Sequence, residues 1–261
     1  MEGEKLNMIL AVDIGNSNIV FGVFENDSLI KSMRIKTDKT RSSDEYHMSM
    51  MSLFTTKNIK VEEIEGVIIS SVVPSLTLVL SDTIFQITHR YPLVVGPGIK
   101  TGLPIRTDSA NEVGADLICG SVGAKELYGY PILIVDFGTA TKIDVIDKNG
   151  AFVGCSIAPG LKIGTEALVS NASQLPQINY IAPKKIIGKN TPDSMNSGSV
   201  YGHAFMIDGF IENIAKELGY DCKVVATGGL AKLVIPFCKS NIKICDELVL
   251  IGLYKIYQKN L

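Results

Sequence analysis

The sequence predicts an α/β fold of two similar lobes, each a mixed sheet with flanking helices, facing one another across a central cleft. Two observations carry most of that prediction. Short apolar runs of strand length alternate with amphipathic runs of helical period. The pattern strand–Asp-x-Gly–strand, seen at Asp13-Ile14-Gly15-Asn16-Ser17, also recurs 123 residues later at Asp136-Phe137-Gly138-Thr139-Ala140. In both places a polar turn and a third strand follow in the same order, which points to a divergent duplication. Two lobes related in this way put their Asp-x-Gly turns on opposite walls of the cleft.

The elements follow in order. Residues 8–12 are continuously apolar and run into the first Asp-x-Gly turn. Residues 19–24 are again strand-like, Glu25-Asn26-Asp27-Ser28 is a polar turn, and residues 29–35 form a third strand. Connections this short make an antiparallel meander. Ser42-Ser43-Asp44-Glu45 carries a capping-box pattern ahead of a helix with Tyr46, Met50, Leu53 and Phe54 on one face. Residues 66–73 form a buried strand ending at Pro74; Ser75 is the expected cap of a second helix, and residues 93–95 form a short strand. The order β-β-β-α-β-α-β is that of a ribonuclease-H-like, or actin-like, lobe. It restarts with strands at residues 131–135, 143–146 and 151–157. The lobes are expected at residues 1–120 and 121–261, with residues 119–130 as a helical crossover.

Bulk properties exclude several classes. Net charge is −2 and 20% of residues are charged, so no strong field draws in nucleic acid or an anionic membrane. The five cysteines form no CxxC pair, and three histidines are too few to complete a zinc pattern with them. Reduced thiols of a cytosolic protein are the expectation. The start MEGEKLNMILAV is too short and too acidic for a signal peptide, and no apolar run reaches membrane-span length. The expected location is the cytoplasm.

Several motifs can carry chemistry. In Asp13-Ile14-Gly15-Asn16-Ser17-Asn18-Ile19-Val20, glycine lets backbone approach a phosphate, and exposed turn amides make an anion-binding concavity. Asp13 at a strand end can hold magnesium, usually through water. The same residues also make an ordinary β-turn, but two copies in matched positions favour function. Asn111-Glu112-Val113-Gly114-Ala115-Asp116 marks a loop-to-helix junction. Asp116 is at home in a first helical turn, and equally suits a base that takes a hydroxyl proton. Thr191-Pro192 reads as an N-cap followed by proline at the first helical position. Thr227-Gly228-Gly229 follows a strand, where a glycine pair lets an adenosine pass close to backbone. His203 reads as structural.

In family order, residues 13–20, 96–102 (GPGIKTG), 112–116 (EVGAD), 136–141 (DFGTAT), 156–160 (SIAPG), 191–198 (TPDSMNSG) and 227–229 (TGG) resemble the type III pantothenate kinases. These belong to the acetate-and-sugar-kinase/heat-shock-protein-70/actin superfamily, and the match spans nearly the whole chain. The resemblance implies an ATP-dependent phosphorylation of pantothenate to 4′-phosphopantothenate, the first step of coenzyme A biosynthesis. It implies that residues 13–20 surround the ATP phosphates and that Thr139 contacts ATP. It makes Asp116 the proton acceptor, with Thr107, Gly114, Ala115 and Leu117 as further positions around pantothenate. It places a monovalent cation, potassium or ammonium, at Asp136, and gives Thr191 a contact with pantothenate from the neighbouring subunit of a homodimer. Two positions depart from the family pattern. Leu117 stands where an arginine commonly meets the pantothenate carboxylate, and Thr107 stands where a tyrosine is common. Arg106 is the nearest cation to replace that anchor. Leu117 also keeps open a kinase of the same fold acting on another small alcohol. The other alternative is a non-catalytic regulatory homologue.

Overall fold

The computed structural model describes residues 8–261, so the leader reading falls partly on residues outside the described ones. The chain divides into two compact units. The first comprises the chain up to Leu103 with Ser109–Glu126 and Leu248–Leu261; the second comprises Pro104–Asp108 and Leu127–Glu247. This differs from a linear split at residue 120, because the last helix belongs with the first sheet.

The first unit contains β1 (Met8–Ile14), β2 (Asn18–Glu25), β3 (Ser28–Lys36), α1 (Ser43–Thr56), β4 (Ile64–Ser71), α2 (Pro74–Thr88), β5 (Leu93–Val94) and α3 (Ala115–Tyr128) through Glu126. Its sheet order is β3-β2-β1-β4-β5, with β1 antiparallel to β2 and parallel to β4. The second unit contains β6 (Ile132–Phe137), β7 (Ala140–Ile146), β8 (Phe152–Pro159), α4 (Leu161–Asn171), α5 (Thr191–Leu218), β9 (Lys223–Thr227), α6 (Ala231–Val234) and β10 (Lys243–Ile244). Its order, β8-β7-β6-β9-β10, repeats the first sheet strand for strand. The duplicated topology read from the Asp-x-Gly pattern is thus present in both units.

Local chemistry explains the elements. Asn26 and Asp27 both adopt positive φ, 47° and 64°, which the two-residue turn between β2 and β3 demands. Ser42 accepts the Glu45 amide while the Glu45 carboxylate accepts the Ser42 amide, completing the capping box of α1. Helix α2 starts one residue earlier than expected: Pro74 is its first residue, and the cap position is Val73, not Ser75. Proline suits that place because its missing N–H is not needed there.

Strand β1 is buried on both faces, as its unbroken apolar run requires. Leu10, Val12 and Ile14 join Tyr46, Phe54 and Leu80 in one core. On the other face lies α7 (Leu248–Gln258), whose Tyr254 stacks on Phe24 with ring centroids 4.4 Å apart. Helices α3 and α7 cross at glycines. A Cβ on Gly123 would lie 2.1 Å from the Leu248 carbonyl oxygen, and one on Gly252 would lie 1.8 Å from that of Cys119. The crossing therefore fixes α3, the helix that begins with Ala115-Asp116.

Candidate active site

In the first unit, the β1–β2 turn follows Asp13, whose register partners are Val20 on β2 and Ser70 on β4. Gly15 donates its N–H to the Asn18 carbonyl at 3.0 Å and closes the turn. Asn16, Ser17 and Asn18 are exposed, Asp13 and Val20 half-buried, and Ile14 and Ile19 fully buried in the core. The two isoleucines thus offer a ligand backbone only; their side chains anchor the loop. Thr37 at the end of β3 clamps it from outside. Its hydroxyl donates to the Gly15 carbonyl at 2.6 Å, and its amide to the Ser17 carbonyl at 3.1 Å. Sequence reading missed Thr37, because a lone threonine after a strand carries no motif.

Helix α3 presents Ala115, Asp116 and Leu117 in its first turn, all half-buried. The positive end of the helix dipole favours a charged Asp116 there. Its Oδ1 accepts the Leu117 amide at 2.9 Å. Gly114 makes room for this carboxylate, since a Cβ there would lie 2.6 Å from Oδ1. Asp116 and Asp13 meet around Cys119, one turn along α3. Burial pushes that thiol well above its ordinary pKa, and the charges of Asp13 and Asp116 push it further, against the Ser70 hydroxyl beside it. Cys119 is therefore a neutral, inert floor beneath two carboxylates.

The second unit holds the other turn. Gly138 donates its N–H to the Ala140 carbonyl at 3.1 Å, and Thr139 is exposed at the tip. Asp136 pairs in register with Lys142 across the β6–β7 hairpin, Nζ to Oδ2 at 3.0 Å. Gly228, at φ +94°, passes so close that a Cβ would lie 2.6 Å from the Phe137 carbonyl and 2.8 Å from Asp136 Oδ1. The glycine pair after β9 thus serves the Asp136 turn.

Thr107 is half-buried, and its hydroxyl is buried without a hydrogen-bond partner. Arg106 is exposed; its amide donates to the Phe152 carbonyl at 2.8 Å and its guanidinium lies 3.9 Å from Asp147. For Asp147, burial pushes the carboxyl up, but the amides of Ala151 and Asn149, the Asn149 side chain and Arg106 outweigh it and hold it below the usual range. Thr191 is exposed as the first residue of α5, not its cap; Asn190 caps the helix by accepting the Asp193 amide at 2.9 Å. Beside it is a cavity of about 730 Å³ lined by Leu161, Thr165, Thr191, Met195, Ser199 and His203. His203 is a structural brace, its ring nitrogens 2.8 Å from the Ser199 carbonyl and 3.3 Å from that of Pro159.

Magnesium fits this site at Asp13. Among the described residues no group of three acidic, histidine or cysteine side chains could cage a metal. A single half-buried carboxylate beside an exposed amide turn suits an ion held mostly by phosphate oxygens and water. The Asp136 carboxylate fits a free monovalent cation poorly, because an ammonium already lies 3.0 Å from Oδ2.

The duplicated sheets and paired Asp-x-Gly turns define the class: the actin-like, sugar-kinase type of α/β protein. The ROK hexokinase of Thermus thermophilus shares that fold, with a TM-score of 0.52 at 13% identity over 97% of this chain and 99% of its own. The family is narrower. A model described as "Type III pantothenate kinase" matches residues 9–213. Type III pantothenate kinases of Halalkalibacterium halodurans and Moorella thermoacetica are 44% and 42% identical over 253 residues, covering 97% of this chain and 100% of theirs. The chain belongs to the type III pantothenate kinase family.

Proposed function

We infer that the protein transfers the γ-phosphoryl group of ATP to the hydroxyl of pantothenate, giving 4′-phosphopantothenate and ADP for coenzyme A synthesis. Family membership over the full chain supports the reaction, and one observation carries the mechanism: Asp116 heads α3 beside Asp13, the two sharing Cys119 as a neighbour. Phosphoryl transfer needs positioning and charge neutralisation more than covalent chemistry. The 15–18 turn amides orient the phosphates, with Thr37 holding the turn in shape. Magnesium, when bound at Asp13, neutralises phosphate charge. Asp116 accepts the proton of the attacking hydroxyl, and Thr139 contacts the nucleotide. Leu117 supplies no cation for the substrate carboxylate, and Arg106 is engaged with Asp147. Thr107, Gly114 and Ala115 complete the acceptor positions.

The reading includes a homodimer in which Thr191 of one subunit reaches the pantothenate of the other, working in the cytoplasm. Among the described residues no helix is long and apolar enough to cross a membrane. An ADP-release assay with and without pantothenate tests the reaction. Release that depends on pantothenate is expected. Release only with another small alcohol would transfer the assignment to that acceptor, the outcome Leu117 favours.

A further inference from the structure

We propose that Lys142 is the resident cation of the Asp136 carboxylate, and that this chain therefore binds MgATP without a monovalent metal ion at that position. The antiparallel β6–β7 register sets the two residues directly opposite each other. Their Nζ–Oδ2 distance is 3.0 Å, and the side chains are only 15% and 24% exposed. This is a charge-assisted bond in a largely desolvated place, not a solvated surface pair. The other face of the carboxylate is enclosed. Asp136 pairs in register with the buried Thr227 on β9, and the Gly228 backbone passes Oδ1 with no space for a methyl group.

A potassium ion and a lysine ammonium each bring one positive charge, and both seek the same carboxylate oxygen. The ammonium is tethered to the adjacent strand, so no second component has to be captured. Removing it leaves a carboxylate mostly out of water with no compensating charge, and an external cation is then drawn in. A dependence on potassium should accordingly appear when Lys142 is removed, and be absent while it is present.

The inference rests on ATP being the ligand, and the test separates the two claims. MgATP binding to the full chain is measured by calorimetry in choline, sodium, ammonium and potassium chlorides at equal ionic strength. Wild type should show dissociation constants within about twofold of each other. Lys142→Met should bind about 10–100-fold more weakly in choline chloride and recover in potassium or ammonium. A thallium NMR titration should detect thallous ion bound to Lys142→Met and not to wild type. Lys142→Gln serves if the methionine variant does not fold, and the wild-type salt series needs no variant at all. Wild-type binding only in potassium or ammonium, or a Lys142→Met protein equal to wild type in choline, overturns the proposal. No MgATP binding in any salt would instead overturn the nucleotide reading itself.

Discussion

Replacing Gly252 by alanine tests whether the α3–α7 crossing holds the catalytic carboxylate in place. The new methyl carbon would begin 1.8 Å from the Cys119 carbonyl oxygen and 2.9 Å from the Gly123 amide nitrogen. Both neighbours are helix backbone, which cannot rotate away as a side chain can. Carbon–oxygen contacts need 3.0 Å or more, so one helix must shift by about 1.2 Å. Overpacking of this kind costs about 1–3 kcal/mol. Alanine's better helix propensity returns at most about 1 kcal/mol, so the clash wins. The shift falls on the helix turn carrying Cys119, one turn from Asp116, and a ~1 Å misplacement can cost about a hundredfold in rate. Urea unfolding should show a lower midpoint, and turnover should fall at least about tenfold. Gly209→Ala on α5 is the control. No atom lies within 4 Å of its added carbon, so propensity alone should stabilise it by about 0.5–1 kcal/mol. If Gly252→Ala matches wild type in both midpoint and turnover, the crossing does not position Asp116.

Two further outcomes follow from the same geometry. Thr37→Val removes the hydroxyl bonded to the Gly15 carbonyl and should cost about 1 kcal/mol of stability while raising the KM for ATP, leaving that for pantothenate nearly unchanged; an unchanged ATP KM would detach Thr37 from the loop's function. Mixing inactive Asp116→Asn with inactive Thr191→Arg chains in equal amounts should restore about a quarter of wild-type activity, because a mixed two-fold dimer gathers both defects in one site and leaves the other intact. No recovery from verified mixed dimers would remove Thr191 from the neighbour's site.

Much of this was legible in the sequence where local chemistry decides. The Ser42–Glu45 capping box, the Asn26-Asp27 turn and the repeated Asp-x-Gly hairpins are each specified within a few residues, and all are present. The helix expected at residues 119–130 exists as α3, although it begins four residues earlier. What escaped the sequence depended on distant partners or on ties between neighbours. Asn190 and Thr191 are both good capping residues, and only the Asn190 bond to the Asp193 amide settles which one caps. The last helix reads as part of the second lobe because it is contiguous with it; Gly22, Gly66 and Phe24 of the first sheet are what receive it. Lys142 reads as one more charge in a strand until the register sets it opposite Asp136. Arg106 reads as a loop cation until Asp147, 41 positions away, takes it up.

The central claim is that Asp116 takes the pantothenate proton during phosphoryl transfer. Single-turnover formation of 4′-phosphopantothenate, followed by mass spectrometry for wild type and Asp116→Asn, tests it most directly. Asparagine keeps the shape and removes the proton acceptor. The account predicts pantothenate-dependent product from wild type, with a rate about 10²–10⁴-fold lower in the variant and MgATP affinity unchanged within about twofold. A fall of less than about tenfold with binding intact would contradict the role assigned to Asp116.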